Sequence, residues 1–457
     1  MPRPLRGRRR RRLRWLALAA SLVALGGLAA VVLAARGGDV SNPDVEFVET
    51  EETASPAPTP EPDPEPNRPA RHPADDGFAW PTYGYTERRT HHLPLRRPLR
   101  PPFRQAWVVR GKVLLEFTPV LCRRRLFLLR DNGVLLAISR LSGKVVWKRK
   151  IGSLAAASPT CGRGTVYAVA LRRDRRSAGG RVVALAERTG RVRWSRDLES
   201  RAESSPLLVD GHLYFGSEGG TVYAMRARDG DVRWRFRAPG AVKGALALAN
   251  DTLFFGDYSG RVHAVRRRDG ARVWSAGTSG ASFGLRSGTF YSSAAVAYGR
   301  VYIGNTDGYV YSFSARDGSL AWRTRTGGYV YASPAVARPP GGGPTVYVGS
   351  YDGTFYALDA RSGAARWERR LGTKISGAAT VIGDLVFATD LGRKTTWALG
   401  VNTGKTVWRF EDGAYNAAIS DGRRLYLNSR SDLHAFDPRG SEFGGRAGRR
   451  ARRRLAA

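Results

Sequence analysis

Residue types able to do chemistry are sparse in this chain. It has only two cysteines, Cys122 and Cys161, too few for a disulfide-stapled domain or a four-thiolate metal site. Neither lies in a CxxCH haem-attachment sequence. Both follow inner strands of consecutive repeats, at points expected to lie farther apart than the ~4 Å Cβ separation a disulfide needs, so no bond is expected between them. Of the six histidines, His72, His91 and His92 precede the repeats, while His212, His263 and His434 take strand positions held elsewhere by Leu, Tyr or Phe. That substitution pattern points to packing. Asp257, Asp307, Asp352 and Asp390 recur in corresponding strand connections, and two carboxylates from different repeats could flank a glycosidic bond. Asp beside Gly, as in Asp307-Gly308 and Asp352-Gly353, already has a backbone reason to be there, since its side chain closes turns. No Ser/His/Asp order, phosphate-binding glycine loop, zinc-ligand pair or calcium loop stands out. The sequence therefore nominates no catalytic, cofactor-binding or metal-binding residue, and no cofactor.

What the sequence does contain is a repeat. Trp107, Trp147, Trp194, Trp234, Trp274, Trp322, Trp367 and Trp408 follow one another at intervals of 40 to 48 residues, the length of one propeller blade. Within each interval, short alternating runs separated by Gly-containing turns predict antiparallel hairpins, and no 3.6-residue period persists long enough for a helix. Inner strands are expected to be built from small residues, as in Ser205-Pro206, Ser293-Ala294, Ser333-Pro334 and Ser376-Gly377-Ala378. The expectation is an all-β, eight-bladed β-propeller of four-stranded antiparallel blades over residues 105–440. The last repeat has no tryptophan strand after Gly440, and the strand carrying Trp107 has no blade of its own. Pairing the two closes the ring and removes two exposed sheet edges. The eight tryptophans are expected to pack between blades, and Trp397 is a local variant.

Outside the ring, an arginine-rich segment (residues 1–14) precedes 21 almost wholly apolar residues (15–35). That length spans a bilayer as an N-terminal transmembrane helix, with the arginines on the cytoplasmic side and the ring outside. A cleaved signal peptide, cut near Ala34-Ala35, is the alternative, and leaves a secreted ring. Residues 37–80 are acidic and Pro-rich, with a net charge of −9, and are expected to be a disordered linker. An approach segment (81–104) leads into the ring, and a basic tail (441–457) follows it.

The whole chain carries +36, of which +26 falls on residues 105–440. The arginines are scattered over turns and strand faces without a nucleic-acid recognition module, so nucleic acid is not an expected partner. An extracytoplasmic protein or an anionic cell-envelope polymer is, contacted by a monomeric ring. The most aromatic of the long connections, residues 277–291, makes Phe283, Phe290 and Tyr291 the expected partner-binding residues.

Tyr356-Ala357-Leu358-Asp359-Ala360-Arg361-Ser362-Gly363 followed by Trp367 resembles the pyrroloquinoline-quinone-type propeller repeat. So do Val222-Tyr223-Ala224-Met225 leading to Trp234 and Gly404-Lys405-Thr406-Val407-Trp408. Trp80-Pro81-Thr82-Tyr83-Gly84 with Arg89-Thr90 resembles the approach segment found before such rings. The resemblance covers roughly residues 80–440 and implies one of two activities. In the dehydrogenase branch, quinone and calcium sit on the axis between a tryptophan and an adjacent-cysteine disulfide, with an aspartate as base. This chain has no adjacent cysteines. The other branch resembles the noncatalytic ring of the outer-membrane barrel assembly machinery, which is lipid-anchored through a cysteine that this N-terminus lacks. The expected function is thus a membrane-anchored, noncatalytic scaffold, with a quinone- and calcium-dependent dehydrogenase, or another enzyme acting at the channel mouth, as the alternative.

Overall fold

In the computed structural model, residues 38–49, 77–173, 178–278, 288–416 and 418–438 are described. The expected membrane helix, most of the acidic linker and the basic tail lie outside them.

Eight four-stranded antiparallel blades follow one another around an axis, each running from its first strand at the inside to its tryptophan strand at the outside. Blade 1 starts at Val120–Cys122, blade 2 at Thr160–Gly162, blade 3 at Leu207–Val209 and blade 4 at Ala247–Ala249. Blades 5 to 8 start at Ala295–Ala297, Ala335–Ala337, Thr380–Ile382 and Ile419–Ser420. The fourth strand of blade 8 is Arg104–Val109, which pairs antiparallel with Leu433–Asp437. The expected closure is therefore present.

One packing unit recurs around the ring. Each tryptophan lies across from a small residue of the third strand, as Trp234 does from Ala224 and Trp107 from Ala435. Directly after that residue the register slips in every blade. Such bulges sharpen local twist, and here they turn the indole toward the next blade. Trp234 Nε1 donates to Arg267 O at 2.9 Å, and the ring covers Gly270 in the following blade's last turn. The same pair of contacts joins Trp147 to Glu187 O and Gly190, and Trp322 to Ala360 O and Gly363. Each glycine has positive φ and meets the indole so closely that a Cβ would intrude, so glycine is required there twice over. Trp397 is different: it sits on a third strand, partly buried, against the cluster around Ile375 and Leu399.

Two expectations need correcting. Cys122 and Cys161 form a disulfide, with Cα atoms 6.4 Å apart. Strands that diverge at the rim converge at the axis, and both cysteines lie on innermost strands of neighbouring blades. The linker is also not wholly free. Val40–Ser41 adds a fifth strand to the outer edge of blade 5, and Phe47 stacks on Tyr298 at 5.4 Å with the guanidinium groups of Arg300 and Arg361 against its ring. Arg300, itself buried, donates to the carbonyls of Val45 and Glu46. An unpaired sheet edge is a template for just such an addition.

The indole-on-glycine unit predicts a contrast between two turn glycines of similar φ. Gly270→Ala places a Cβ 2.7 Å from Trp234 Cε3, whereas Gly211→Ala meets nothing within 4 Å. Gly211→Ala is expected to cost about 1 kcal/mol for its backbone alone, and Gly270→Ala about 2–4 kcal/mol through added overpacking. Thermal unfolding of the two variants measures the difference; equal losses would mean that the indole contact is soft.

Candidate functional site

The two ends of the axis are built differently. At the lower end, residues 78–93 run around the inside of the ring and close it. The middle residue of one innermost strand after another donates its amide to this segment: Cys161 to Pro81, Leu248 to Glu87, Val296 to Arg88, Val336 to Thr90 and Val381 to His91. In blade 1 the segment pairs as a short strand, Ala79–Trp80 against Val120–Cys122, and in blade 7 His92–Leu93 lies parallel to Thr380–Ile382. Arg89 is completely buried at the centre of this plug. Its guanidinium donates to Leu246 O (2.9 Å), Thr82 Oγ1 (2.7 Å), Ser205 O (3.1 Å) and Tyr83 O. Burial pulls its pKa down to about 9, still cationic at neutral pH. Burial, and the charge of Arg89, push His91 down to about 3, so His91 is neutral. His91, Trp80 and Tyr83 line a cavity of about 10 Å³ between plug and strands, room for about one water.

The upper end is open. The residue four positions before each innermost strand is Glu116, Ala156, Glu203, Lys243, Tyr291, Tyr331, Ser376 and Tyr415 in blades 1 to 8, and all eight are half-buried. The residue before each of these, from Leu115 and Ala155 to Val330 and Ile375, is buried. Eightfold repetition thus presents one ring of side chains to solvent and locks the next beneath it. Two positions below the exposed ring, hydroxyls tie blades together: Ser158 N donates to Ser205 Oγ, Ala245 N to Ser293 Oγ and Ser293 N to Ser333 Oγ. Tyr83 of the plug reaches the same tier, bonding Ser333 Oγ and meeting Phe117 edge-on, and forms the floor.

Around this mouth the chemistry is lopsided. On blades 4 to 6 the tyrosines touch in series: Tyr258–Tyr291 at 6.2 Å, Tyr291–Tyr331 at 5.6 Å and Tyr331–Tyr351 at 4.7 Å, with Tyr329 beside the last two. Tyr329 is 55% exposed. On blades 3 and 4, Lys243 Nζ bridges Glu203 Oε2 and Glu218 Oε1, both at 2.9 Å, and lies over the ring of Tyr258. Partial burial lowers the lysine pKa, but the two carboxylates outweigh it and hold the group above its usual value. Across the mouth, burial and the nearby Asp131 and Glu203 push Glu116 up to about 7 against the pull of Lys243. Desolvation pushes Tyr258 up to about 12, so its hydroxyl keeps its proton at neutral pH.

The residues nominated from sequence separate here. Tyr291 belongs to the mouth. Phe290, one position earlier, is fully buried: its Cβ faces Gly256 and its ring packs against Tyr311. It fills the apolar tier of the repeat and presents no surface to a partner. Phe283 lies outside the described residues. Glu116, Glu203, Lys243 and Tyr331 escaped the sequence reading, although their constant offset from the small-residue inner strands was there to be used. The four aspartates are held within the frame: Asp257 accepts from Ser259 N, Arg261 N and Gly240 N, Asp390 from Thr373 N, Lys374 N and Arg393 N, and Asp307 and Asp352 each from a backbone amide and a tyrosine hydroxyl. His263 Nε2 meets Asp257 at 3.1 Å in a buried pair. Among the described residues no three His, Cys, Asp or Glu side chains converge as a metal-ligand set. The mouth does not fit quinone with calcium: the ammonium of Lys243 already lies between Glu203 and Glu218, and the disulfide joins cysteines 39 residues apart at the lower end.

The chain belongs to the PQQ_2 family, described as "Outer membrane protein assembly factor BamB", which matches residues 131–306 and 306–454. No curated protein matches it. Among solved structures it is similar to BamB from Moraxella catarrhalis, with 18% identity and a TM-score of 0.59 over 75% of this chain and 99% of that one. It is also similar to a europium-containing methanol dehydrogenase (12%, TM-score 0.68, 80% and 99%). A third is the quinohemoprotein alcohol dehydrogenase ADHIIG from Pseudomonas putida HK5 (14%, TM-score 0.67, 80% and 81%). At these identities the likeness is one of fold.

Glu116 supplies a pH test. Its folded pKa of about 7 exceeds the unfolded value of about 4.3, so between these the folded state binds more protons, and stability falls as pH rises through 7. Glu116→Gln is expected to gain stability at pH 8 relative to pH 5, by on the order of 1–2 kcal/mol after discounting for its solvent contact. Denaturant unfolding of both proteins at the two pH values checks this, and an unchanged pH dependence would count against it.

Proposed function

We propose, from membership of this family and the asymmetry of the axis, that the protein is a noncatalytic, membrane-anchored binding module whose open mouth engages an extracytoplasmic protein. One observation carries the reading: the lower end is sealed by residues 78–93, while the upper end exposes an arc of tyrosines beside the Lys243–Glu203–Glu218 cluster. Tyrosine combines a large rigid contact area with a polar tip and recurs at the energetic centres of protein interfaces. The rigid frame beneath supports this use, because the loops that bear the mouth can be recognised without reorganising the strands. Export is supported by the Cys122–Cys161 disulfide, a bond that persists in oxidising compartments and is rare in the cytosol. The transmembrane segment over residues 15–35 then supplies the anchor.

Crosslinking in intact cells, followed by mass spectrometry, tests the mouth directly. A discrete extracytoplasmic partner is expected with the wild-type protein, and its yield should drop at least tenfold in Tyr329→Ser/Tyr331→Ser, a pair at the exposed end of the arc. Yield unchanged by those substitutions, or stoichiometric retention of quinone and calcium by the purified protein, would overturn the reading.

A further inference from the structure

A second feature lies away from the mouth, on the upper rim between blades 1 and 2. Blade 2 has the longest hairpin of the ring. Its middle strands, Thr165–Arg173 and Ala178–Ala186, run nine residues each, where the other blades have four to six. The extension rises beside the connection from blade 1 and is pinned to it by the pairing of Leu154 with Leu171. Between them opens a groove of about 600 Å³, within the size range of ligand sites. Lys150, Arg172 and Arg181 supply its charge, Ser153 and Ser195 its hydroxyls, and Ile151, Val183 and Val192 an apolar floor. Asp197 accepts from two of them, at 2.5 Å from Arg172 and 2.8 Å from Arg181. Among the described lining residues, three cations and two hydroxyls face the same space.

We propose that this groove binds the phosphate groups of a linear anionic polymer on the outer side of the membrane. Guanidinium forks match tetrahedral phosphate oxygens, and hydroxyls complete the contact. The apolar floor suits a phosphate carried on a carbon backbone. Position in the ring favours a polymer over lipid headgroups, and this step rests on the anchored reading above. Gly38, the first described residue, leads into the strand added to blade 5. It follows the end of the expected membrane span by three residues, a reach of at most about 11 Å. Blade 5 is therefore the side held near the bilayer, and blades 1 and 2 lie across the axis from it.

Binding of polyphosphate to the purified full chain, measured against salt concentration, tests the site. Lys150→Gln/Arg172→Gln/Arg181→Gln should weaken binding at least tenfold and flatten its salt dependence. A control, Arg233→Gln/Arg369→Gln/Arg370→Gln, removes the same charge from exposed outer strands of blades 3 and 6 and should change affinity less than threefold. Because the groove triple variant could lose folding with its ion pairs, Asp197→Asn gives an opposite readout: removal of the acid should tighten binding about threefold or more. Equal weakening by the control, weaker binding by Asp197→Asn, or equally tight binding of polyglutamate or phosphatidylglycerol vesicles would each overturn the proposal. None of these outcomes alters the crosslinking result at Tyr329 and Tyr331, so the groove can fail while the mouth stands.

Discussion

Hydrogen bonding between Arg104–Val109 and Leu433–Asp437 joins segments more than 300 residues apart. The four strands of every other blade are consecutive in the chain, and only this blade is built from both ends of the repeat region. Because Trp107 pairs with Ala435 and docks on Gly143 of blade 1, the closing blade makes the same inter-blade contact as its neighbours. Without it, blades 7 and 1 would face an unfinished sheet, and the innermost strands would lose the geometry that lets one segment thread past seven of them. The sealed lower end, the disulfide and the open mouth all depend on that closure.

The plug is where the closed ring acquires polarity. A propeller channel lined by eight short strands offers unused backbone amides on its inner side, and buried amides need partners. Residues 78–93 satisfy them with their own carbonyls, blade after blade. Arg89 then anchors the segment through acceptors that are all neutral, so its charge is stabilised by dipoles rather than by a counter-ion. With one end consumed in this way, recognition is left to the upper loops. The charge pattern there departs from the rest of the molecule: a chain of net +36 gathers Glu116, Glu203 and Glu218 around its axis.

The ring itself was legible from sequence because tryptophan and glycine recur at blade length, and each has one structural job. Trp107 before the first blade and the missing tryptophan after Gly440 were enough to find the closure. The disulfide was not legible, because the distance between Cys122 and Cys161 depends on how closely strands converge at the axis, which spacing along the chain does not encode. Phe290 was misplaced for a related reason. Adjacent residues of an extended segment face opposite ways, and the choice between Phe290 and Tyr291 required the register of the repeat. Docking of residues 38–49 was hidden by composition: acidic and proline-rich surroundings masked Val40, Val45 and Phe47, which find an edge strand and an aromatic shelf on blade 5.

Amide hydrogen exchange across Arg104–Val109 is the most direct test of this architecture. Closure predicts that every second amide of Arg104–Val109, the set facing Leu433–Asp437, exchanges as slowly as the amides of Leu433 and Ala435, and that the two strands gain exchange together as denaturant is raised. Rapid exchange of Arg104–Val109 while Leu433–Asp437 stays protected would contradict it, and the sealed, one-mouthed ring with it.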